Sequence, residues 1–249
     1  GTPDGLAKFN GSNTWTVYNT ENSDLPGNDI FSIAVDSNNN KWIGTSFGLA
    51  KFDDSAWTIY DIYNSYIPDN DIDKVFVDSD DNIWIVYGGS NLAKFHNGDW
   101  IIYNSSSSDM PSGTISSIVS DELGNMWIGQ SAKITKYDGE NWTTVYDSDN
   151  AQLSGSVKTW VIYSSNIFWT GASGLFRYDG EYVNIYKSSN SHMPTNNITK
   201  IIIDDEGDKW LGTSMGIVVI DSDAKNITFT YPNSGEALLS QGTYNLSWY

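Results

Sequence analysis

Tryptophan recurs along this 249-residue chain at intervals of about 42 residues, in two interleaved series. Trp42, Trp84, Trp127, Trp169 and Trp210 each sit in a Trp-Ile-Gly-Thr-like segment, while Trp15, Trp57, Trp100 and Trp142 open a second series that Tyr182 continues. A repeat of that length means that one small structural unit is used again and again, so most of the aromatic content is scaffold.

One unit runs from Ile30 to Tyr60. Ile30–Asp36 is an apolar run that predicts a strand buried on both faces, and Ser37-Asn38-Asn39-Asn40 supplies side chains that favour a hairpin turn. Lys41–Thr45, Gly48–Asp53 and Trp57–Tyr60 read as three further short strands. The same order recurs from Ile72 to Tyr103, Ile115 to Tyr146, Val157 to Tyr186 and Ile198 to about Tyr231. Four short strands per repeat predict an all-β fold, a β-propeller of four-stranded blades. Five repeats are complete. Ahead of them, Gly5–Phe9 and Trp15–Tyr18 read as the third and fourth strands of a leading partial blade, and Gly1-Thr2 reads as the tail of a Trp-Ile-Gly-Thr strand.

Leu25-Pro26, Ile67-Pro68, Met110-Pro111 and Met193-Pro194 precede the first strand of each unit at one offset, where proline fixes φ and removes a donor. Leu153-Ser154 breaks that pattern. Together these residues resemble the two-component regulator propeller repeat: Leu-Pro, an apolar strand ending in Asp, a turn, Trp-Ile-Gly-Thr, then Gly-Leu-x-Lys/Arg-Tyr/Phe-Asp. The resemblance covers residues 1 to about 222 and departs at Val86-Tyr87, Gln130 and Tyr163. It implies a periplasmic sensor region, in some cases one that recognises carbohydrates, or part of a large exported surface protein.

The tail differs. Ile227-Thr228 through Pro232–Glu236 to Gly242–Trp248 resembles the opening of an immunoglobulin-like module, so the chain divides into propeller repeats over 1–225 and, over 226–249, a last outer strand followed by the start of that module.

The formal charge of −18 creates a negative field that repels nucleic-acid phosphates and anionic lipid, excluding both as expected partners. With no cysteine, disulfides and thiolate metal sites are excluded. No stretch has the apolar length to span a bilayer, and membrane insertion is not expected.

Chemistry-bearing groups are few. Asp36-x-Asn38-x-Asn40, Asp78-x-Asp80-x-Asn82 and Asp204-x-Glu206-x-Asp208 imitate the start of a calcium loop but lack its closing Glu, so they read as hairpin turns. Lys8, Lys51, Lys94, Lys136 and Arg177 recur in the third strand, where a repeated ion pair with a blade-edge Asp is expected, the stems lying on aromatics. His96 and His192 fall in polar turn contexts, and no nucleophile elbow, phosphate loop or zinc spacing accompanies them. No catalytic residue, metal or cofactor is expected.

Candidate ligand positions are those that vary where the scaffold repeats. Asp29, Asp71, Thr114, Ser156 and Asn197 precede the first strands, and Thr45, Tyr87, Gln130, Ala172 and Thr213 end the second strands. Trp160 replaces Ile33, Val75, Ile118 and Ile201; it reads as space filling, with a platform for a sugar ring or other flat ligand as the alternative. Asp29, Asp71, Tyr87, Gln130, Trp160 and Asn197 form the expected ligand set on the face where these connections gather. The expected function is non-catalytic binding of a small ligand, a carbohydrate among the candidates, or of a protein partner. The setting is a secreted, cell-surface or periplasmic bacterial protein, and a lyase on the same scaffold is the rival.

Overall fold

A computed structural model describes residues 1–131, 133–147, 157–163, 166–171, 174–191, 193–220, 226–230 and 242–245, and every regular element among them is a strand. β1 (Leu6–Phe9) and β2 (Trp15–Tyr18) pair as a two-stranded leading sheet. β3 (Ile30–Val35), β4 (Lys41–Thr45), β5 (Gly48–Phe52) and β6 (Trp57–Tyr60) form the first four-stranded sheet. The second comprises β7 (Ile72–Val77), β8 (Ile83–Tyr87), β9 (Asn91–His96) and β10 (Asp99–Tyr103). β11 (Ile115–Ser120), β12 (Met126–Gln130), β13 (Lys133–Tyr137) and β14 (Trp142–Asp147) make the third. The fourth contains β15 (Thr159–Tyr163), β16 (Asn166–Gly171), β17 (Gly174–Tyr178) and β18 (Val183–Tyr186). β19 (Ile198–Ile203), β20 (Lys209–Thr213), β21 (Gly216–Ile220) and β22 (Asn226–Thr230) form the last, with β23 (Gly242–Asn245) added to its edge.

Sequence neighbours are hydrogen-bonded neighbours in every sheet, the antiparallel meander that short turns impose. β22 is thus the expected fourth strand of its repeat. Gly242–Asn245, read as part of an immunoglobulin-like module, pairs antiparallel with β22, from Asn226↔Asn245 to Phe229↔Gly242. Residues 231–241 and 246–249 of that segment lie outside the described residues, as do Ala172, Ser156 and the Leu153-Ser154 connection.

The chain divides into two compact units: residues 1–115, 122–126 and 137–142, and residues 116–121, 127–136 and 143–249. In the first unit Trp42, Leu49, Ile72, Val75 and Ile85 form one core cluster, while Leu6, Leu25, Ile43, Ala50 and Phe52 form another. In the second, Trp127, Ile134, Val157, Trp160 and Phe176 form one cluster and Leu175, Ile198, Ile201, Leu211 and Val218 the other. Leu25, Ile67, Met110 and Met193 are all buried, so the residue before each proline anchors its connection.

Three members of the Trp42 series are core, Trp42, Trp84 and Trp127 being no more than 4% exposed, while Trp210 is half-buried. Trp42 stacks on Tyr60 of its own sheet and meets Phe95 of the next, and Trp84 does the same with Tyr103 and Tyr137. Each indole nitrogen reaches back across the hairpin to the turn aspartate: Trp42 to Asp36 at 2.9 Å, Trp84 to Asp78 at 2.8 Å, Trp127 to Asp121 at 2.9 Å and Trp210 to Asp204 at 2.6 Å. Asp and Trp therefore recur together because one satisfies the other's buried polar group.

The glycine of Trp-Ile-Gly-Thr has a packing cause. A Cβ on Gly44 would stand 2.8 Å from the Ile72 carbonyl oxygen and 3.0 Å from Ile72 Cγ2, so its absence lets β7 approach β4. β3 and β7 are also stitched together, Val75 N donating to Ser32 Oγ at 3.0 Å.

β3 departs from the expectation of burial on both faces: Phe31, Ile33 and Val35 are exposed. β7 lies against the side of β3 that carries Ser32 and Ala34, and Phe31, Ile33 and Val35 alternate with these. Val75, the counterpart of Ile33 one sheet later, is buried.

Candidate functional site

Register brings the candidate positions together in pairs. Ile30↔Thr45, Ile72↔Tyr87 and Ile198↔Thr213 place Asp29, Asp71 and Asn197, each one residue earlier, beside the ends of β4, β8 and β20. Asp29, Asp71 and Tyr87 belong to the first unit, and Gln130, Trp160 and Asn197 to the second.

Asp29, Asp71 and Asn197 are exposed. Asn197 is held from several sides: its Oδ1 accepts from Lys158 Nζ at 3.0 Å, its N–H donates to Thr195 Oγ1 at 3.1 Å, and its carbonyl accepts from Ser214 N at 3.2 Å. Asp71 N–H donates to Asp69 Oδ1 at 3.1 Å, which draws two carboxylates to the same strand end. Tyr87 is buried in the first unit's core, and burial, with the Asp69 charge behind it, pushes its phenol pKa up and keeps the hydroxyl protonated. Its sister Thr45 instead closes the tight turn of its hairpin, Oγ1 donating to Gly48 O at 2.9 Å while accepting from Phe47 N at 3.1 Å. Thr213 repeats both bonds. Tyr87 has no such oxygen to offer the turn. The β8–β9 connection is one residue longer and passes through Gly88 and Gly89 at φ 54 and 69.

Three members of the expected ligand set, Tyr87, Gln130 and Trp160, are buried. Gln130 has no exposed surface, and its Oε1 accepts from Thr135 Oγ1 at 2.8 Å. Trp160 packs over Gly129, where an added Cβ would lie 3.0 Å from its ring, and its Nε1 donates to Ser117 Oγ at 2.5 Å. Both sit in the second unit's interior, where Trp160 packs with Trp127, Ile134, Val157 and Phe176.

Sequence reading missed the residues that turn the chain into these first strands. Register shifts between Ile30 and Ser32, Ile72 and Lys74, and Ile198 and Lys200 make Phe31, Asp73 and Thr199 the extra residues of β-bulges. Asp73 Oδ2 accepts from Gly89 N at 2.8 Å, so the bulge re-aims a carboxylate onto the neighbouring turn. A small polar residue in an otherwise apolar strand, Ser32 or Ser117, was the available signal: Ser117 Oγ donates to Val157 O at 2.9 Å, as Ser32 links to Val75.

The acids of the calcium-like turns are consumed by the scaffold. Asp36 accepts from Asn38 N, Asn40 N, Asn40 Nδ2 and Trp42 Nε1. Burial pushes the Asp36 carboxyl up, but the bonds from Asn40 and Trp42 outweigh it and hold the pKa below the ordinary range. The Trp210 bond, against some desolvation, does the same for Asp204. Among the described residues no three His, Cys, Asp or Glu side chains are grouped to hold a metal. His96 lies between amides, its ring nitrogens 2.5 Å from Asn82 Oδ1 and 2.8 Å from Asn97 Nδ2, while His192 lies outside the described residues.

The basic stripe also differs from expectation. Lys51, Lys94 and Lys136 place Nζ over the rings of Trp42, Trp84 and Trp127 at 5.3, 5.3 and 5.7 Å. Antiparallel pairing sets Lys51 opposite Trp42 and Lys94 opposite Trp84, so each ammonium lies over an aromatic face, and the Lys51 charge also acts on Asp53. Lys8 keeps the expected ion pair, with Asp54 at 2.5 Å; Lys41 shares that carboxylate at 2.6 Å.

Two open grooves lie at outer strands. One, of about 540 Å³, is lined by Tyr18, Glu21, Asp24, Asp54 and Trp57 among others; a second, of about 420 Å³, lies by Tyr146, Tyr178, Glu181 and Tyr182. Neither includes a member of the expected ligand set.

Residues 24–47 match the model of the family described as two component regulator propeller. No curated protein matches the chain. Among solved structures, the extracellular domain of BT4673 from B. thetaiotaomicron, described as a hybrid two component system, is similar at 21% identity and TM-score 0.69. That match covers 88% of this chain but 30% of the other, so the chain spans less than a third of that relative. Virginiamycin B lyase from Staphylococcus aureus matches at 16% identity and TM-score 0.64, over 82% of this chain and 71% of the enzyme. PorZ of Porphyromonas gingivalis, a bacterial surface component of the type-IX secretion system, matches at 13% and 0.62, over 95% and 37%. At these identities the likeness speaks for the fold, and the fold is the one the strand order describes. The chain is an all-β propeller of four-stranded blades in which residues 24–47 match the two component regulator propeller model.

Proposed function

We propose that the chain is a non-catalytic ligand-binding or protein-interaction module of a secreted or cell-surface multidomain bacterial protein. One observation carries this reading. The chemistry-bearing side chains that recur, the turn aspartates, and the one described histidine are engaged in scaffold hydrogen bonds, while exposed Asp29, Asp71 and Asn197 vary from blade to blade on a repeated frame. In the first unit Asp29 and Asp71, with Tyr87 at the same strand end as Asp71, are proposed ligand contacts, and in the second unit Asn197 is one. A periplasmic sensor region that recognises a carbohydrate is the second reading, favoured by the likeness to an extracellular domain of a two component system.

The test is a panel of glycans and peptides screened by calorimetry and by product analysis. Binding that weakens in Asp71→Ala or Asn197→Ala, without turnover, supports the proposal. Turnover of any panel member overturns it in favour of a lyase.

A further inference from the structure

The connection from β6 to β7 displays a group of side chains that its own architecture does not use. Ile62, Tyr63 and Tyr66 are 45, 88 and 92% exposed. The frame beneath them is common to sister connections. Asp61 N donates to Asn64 Oδ1 at 3.0 Å, Asn64 Nδ2 to Ile59 O at 3.0 Å and Ile62 N to Asn70 Oδ1 at 3.0 Å. After β2, Asn19, Asn22, Val17, Thr20 and Asn28 make the same three bonds. After β18, Lys187, Asn190, Ile185, Ser188 and Asn196 make them again.

On that frame the other connections carry polar side chains. Thr20, Glu21 and Asp24 stand where Ile62, Tyr63 and Tyr66 stand here, and Ser105, Ser106 and Asp109 do so after β10. Tyr66 also takes φ 58, a conformation that a bulky side chain seldom adopts. The three apolar residues therefore neither fold the connection nor fill a core, and Tyr66 adds strain. Because the backbone that carries both tyrosines is held by a hydrogen-bonded turn, docking on them needs little ordering of the backbone.

The surroundings identify the partner. Between Asp54 and Lys74 there is no basic residue, while Asp61, Asp69, Asp71 and Asp73 are all present, in a chain of net charge −18. Exposed aromatic faces on an acidic stretch of chain attract cations and repel anionic polymers. We propose that Tyr63 and Tyr66, with Ile62 at their edge, form a docking surface for a basic segment of another protein, its arginine or lysine side chains lying over the rings. This rests on the reading of the chain as an interaction module and names the class of partner.

The test titrates the whole chain with a labelled peptide of alternating arginine and glycine at low ionic strength. A second titration uses a neutral β-glucan oligosaccharide. The variant Tyr63→Ser with Tyr66→Asp installs the residues found at Ser106 and Asp109, adds a negative charge and removes the strained aromatic, so it keeps the fold. Loss of two cation–π contacts weakens peptide binding by about ten-fold despite the added charge. Tyr63→Phe with Tyr66→Phe retains binding. Peptide binding that is absent, unchanged or tighter in the Ser/Asp variant overturns the proposal, since attraction to net charge alone predicts tightening. Glucan binding that this variant abolishes while peptide binding persists overturns it in favour of sugar stacking. None of these outcomes creates turnover, so failure here is separable from failure of the module reading.

Discussion

Trp84 and Asp78 face each other across the β7–β8 hairpin, the indole Nε1 donating to Asp78 Oδ2 at 2.8 Å, and this pair ties the turn to the core. Asp78 Oδ1 meanwhile accepts from Asp80 N and Asn82 N. One carboxylate thus shapes the turn with one oxygen and satisfies a buried indole with the other. The two sides of the sequence repeat, aromatic and acidic, are one device.

Trp84→Ala removes a side chain that is 2% exposed, leaves a large cavity and takes away one of the two donors to Asp78 Oδ2, leaving Asn82 Nδ2. We expect a loss of about 3–5 kcal/mol in denaturant unfolding. Asp78→Ala, which deletes the acceptor and keeps the ring, is expected to cost about 1–3 kcal/mol. Equal melting temperatures for wild type and Trp84→Ala would contradict the assignment of this series to the core.

Acid should unfold the protein through these carboxylates. Hydrogen bonds hold the pKa of Asp36 and Asp204 below the ordinary value, and the backbone N–H of Ala56, with Ser55, holds Asp53 at about 2. The folded pKa lies below the unfolded one, so the stabilisation is complete above the unfolded value of about 4. It is withdrawn as pH falls through the folded values. Unfolding followed from pH 5 down to pH 2 should steepen below about 4, and less so in Asp36→Asn with Asp204→Asn. An identical slope in that double variant would show that the turns are not the titrating groups.

Two glycines at equivalent positions should respond differently to alanine. At Gly44 the new Cβ meets backbone oxygen at 2.8 Å, whereas at Gly212 its nearest neighbour is Thr199 Oγ1 at 3.4 Å. Gly44→Ala is expected to destabilise by about 1–3 kcal/mol through overpacking. Gly212→Ala should be neutral or stabilise by up to about 1 kcal/mol through the unfolded chain. Matching effects at both sites would remove the close approach of β4 and β7 as the reason for this glycine.

Lys51 and Lys8 occupy the same place in their repeats and should differ in salt dependence. Lys51 lies over Trp42, and Lys51→Gln is expected to cost about 0.5–1 kcal/mol with little response to ionic strength. The exposed Lys8–Asp54 pair is screened by salt, so any effect of Lys8→Gln should fade as sodium chloride is added. Equal salt responses would place Lys51 in an ion pair after all.

The strand order was legible because short apolar runs and polar turns alternate at a fixed spacing, and the observed strands fall where Ile30, Lys41, Gly48 and Trp57 announce them. Less legible was what each face meets. Apolar Phe31, Ile33 and Val35 read as buried, but burial depends on whether another strand lies alongside. Gln130 stood out as variable, yet Thr135, a partner on the next strand, shows it to be an interior amide. The lysine stripe was visible and its partner was not, since cross-strand register decides whether Nζ meets carboxylate or indole. Tyr63 and Tyr66 carry no signal in the repeat pattern, because only the shared hydrogen-bond frame shows that the loop does not need them.

The Asp–Trp pairs also bear on the order in which the chain acquires structure. Each spans six residues of sequence, whereas the Ser32–Val75 link between sheets spans 43. Closing the short loop costs little chain entropy, so each hairpin is able to form its own polar clasp before any distant strand arrives. Folding is then expected to begin at several hairpins independently, with the glycine-lined approach of neighbouring sheets as the late step that makes the process cooperative.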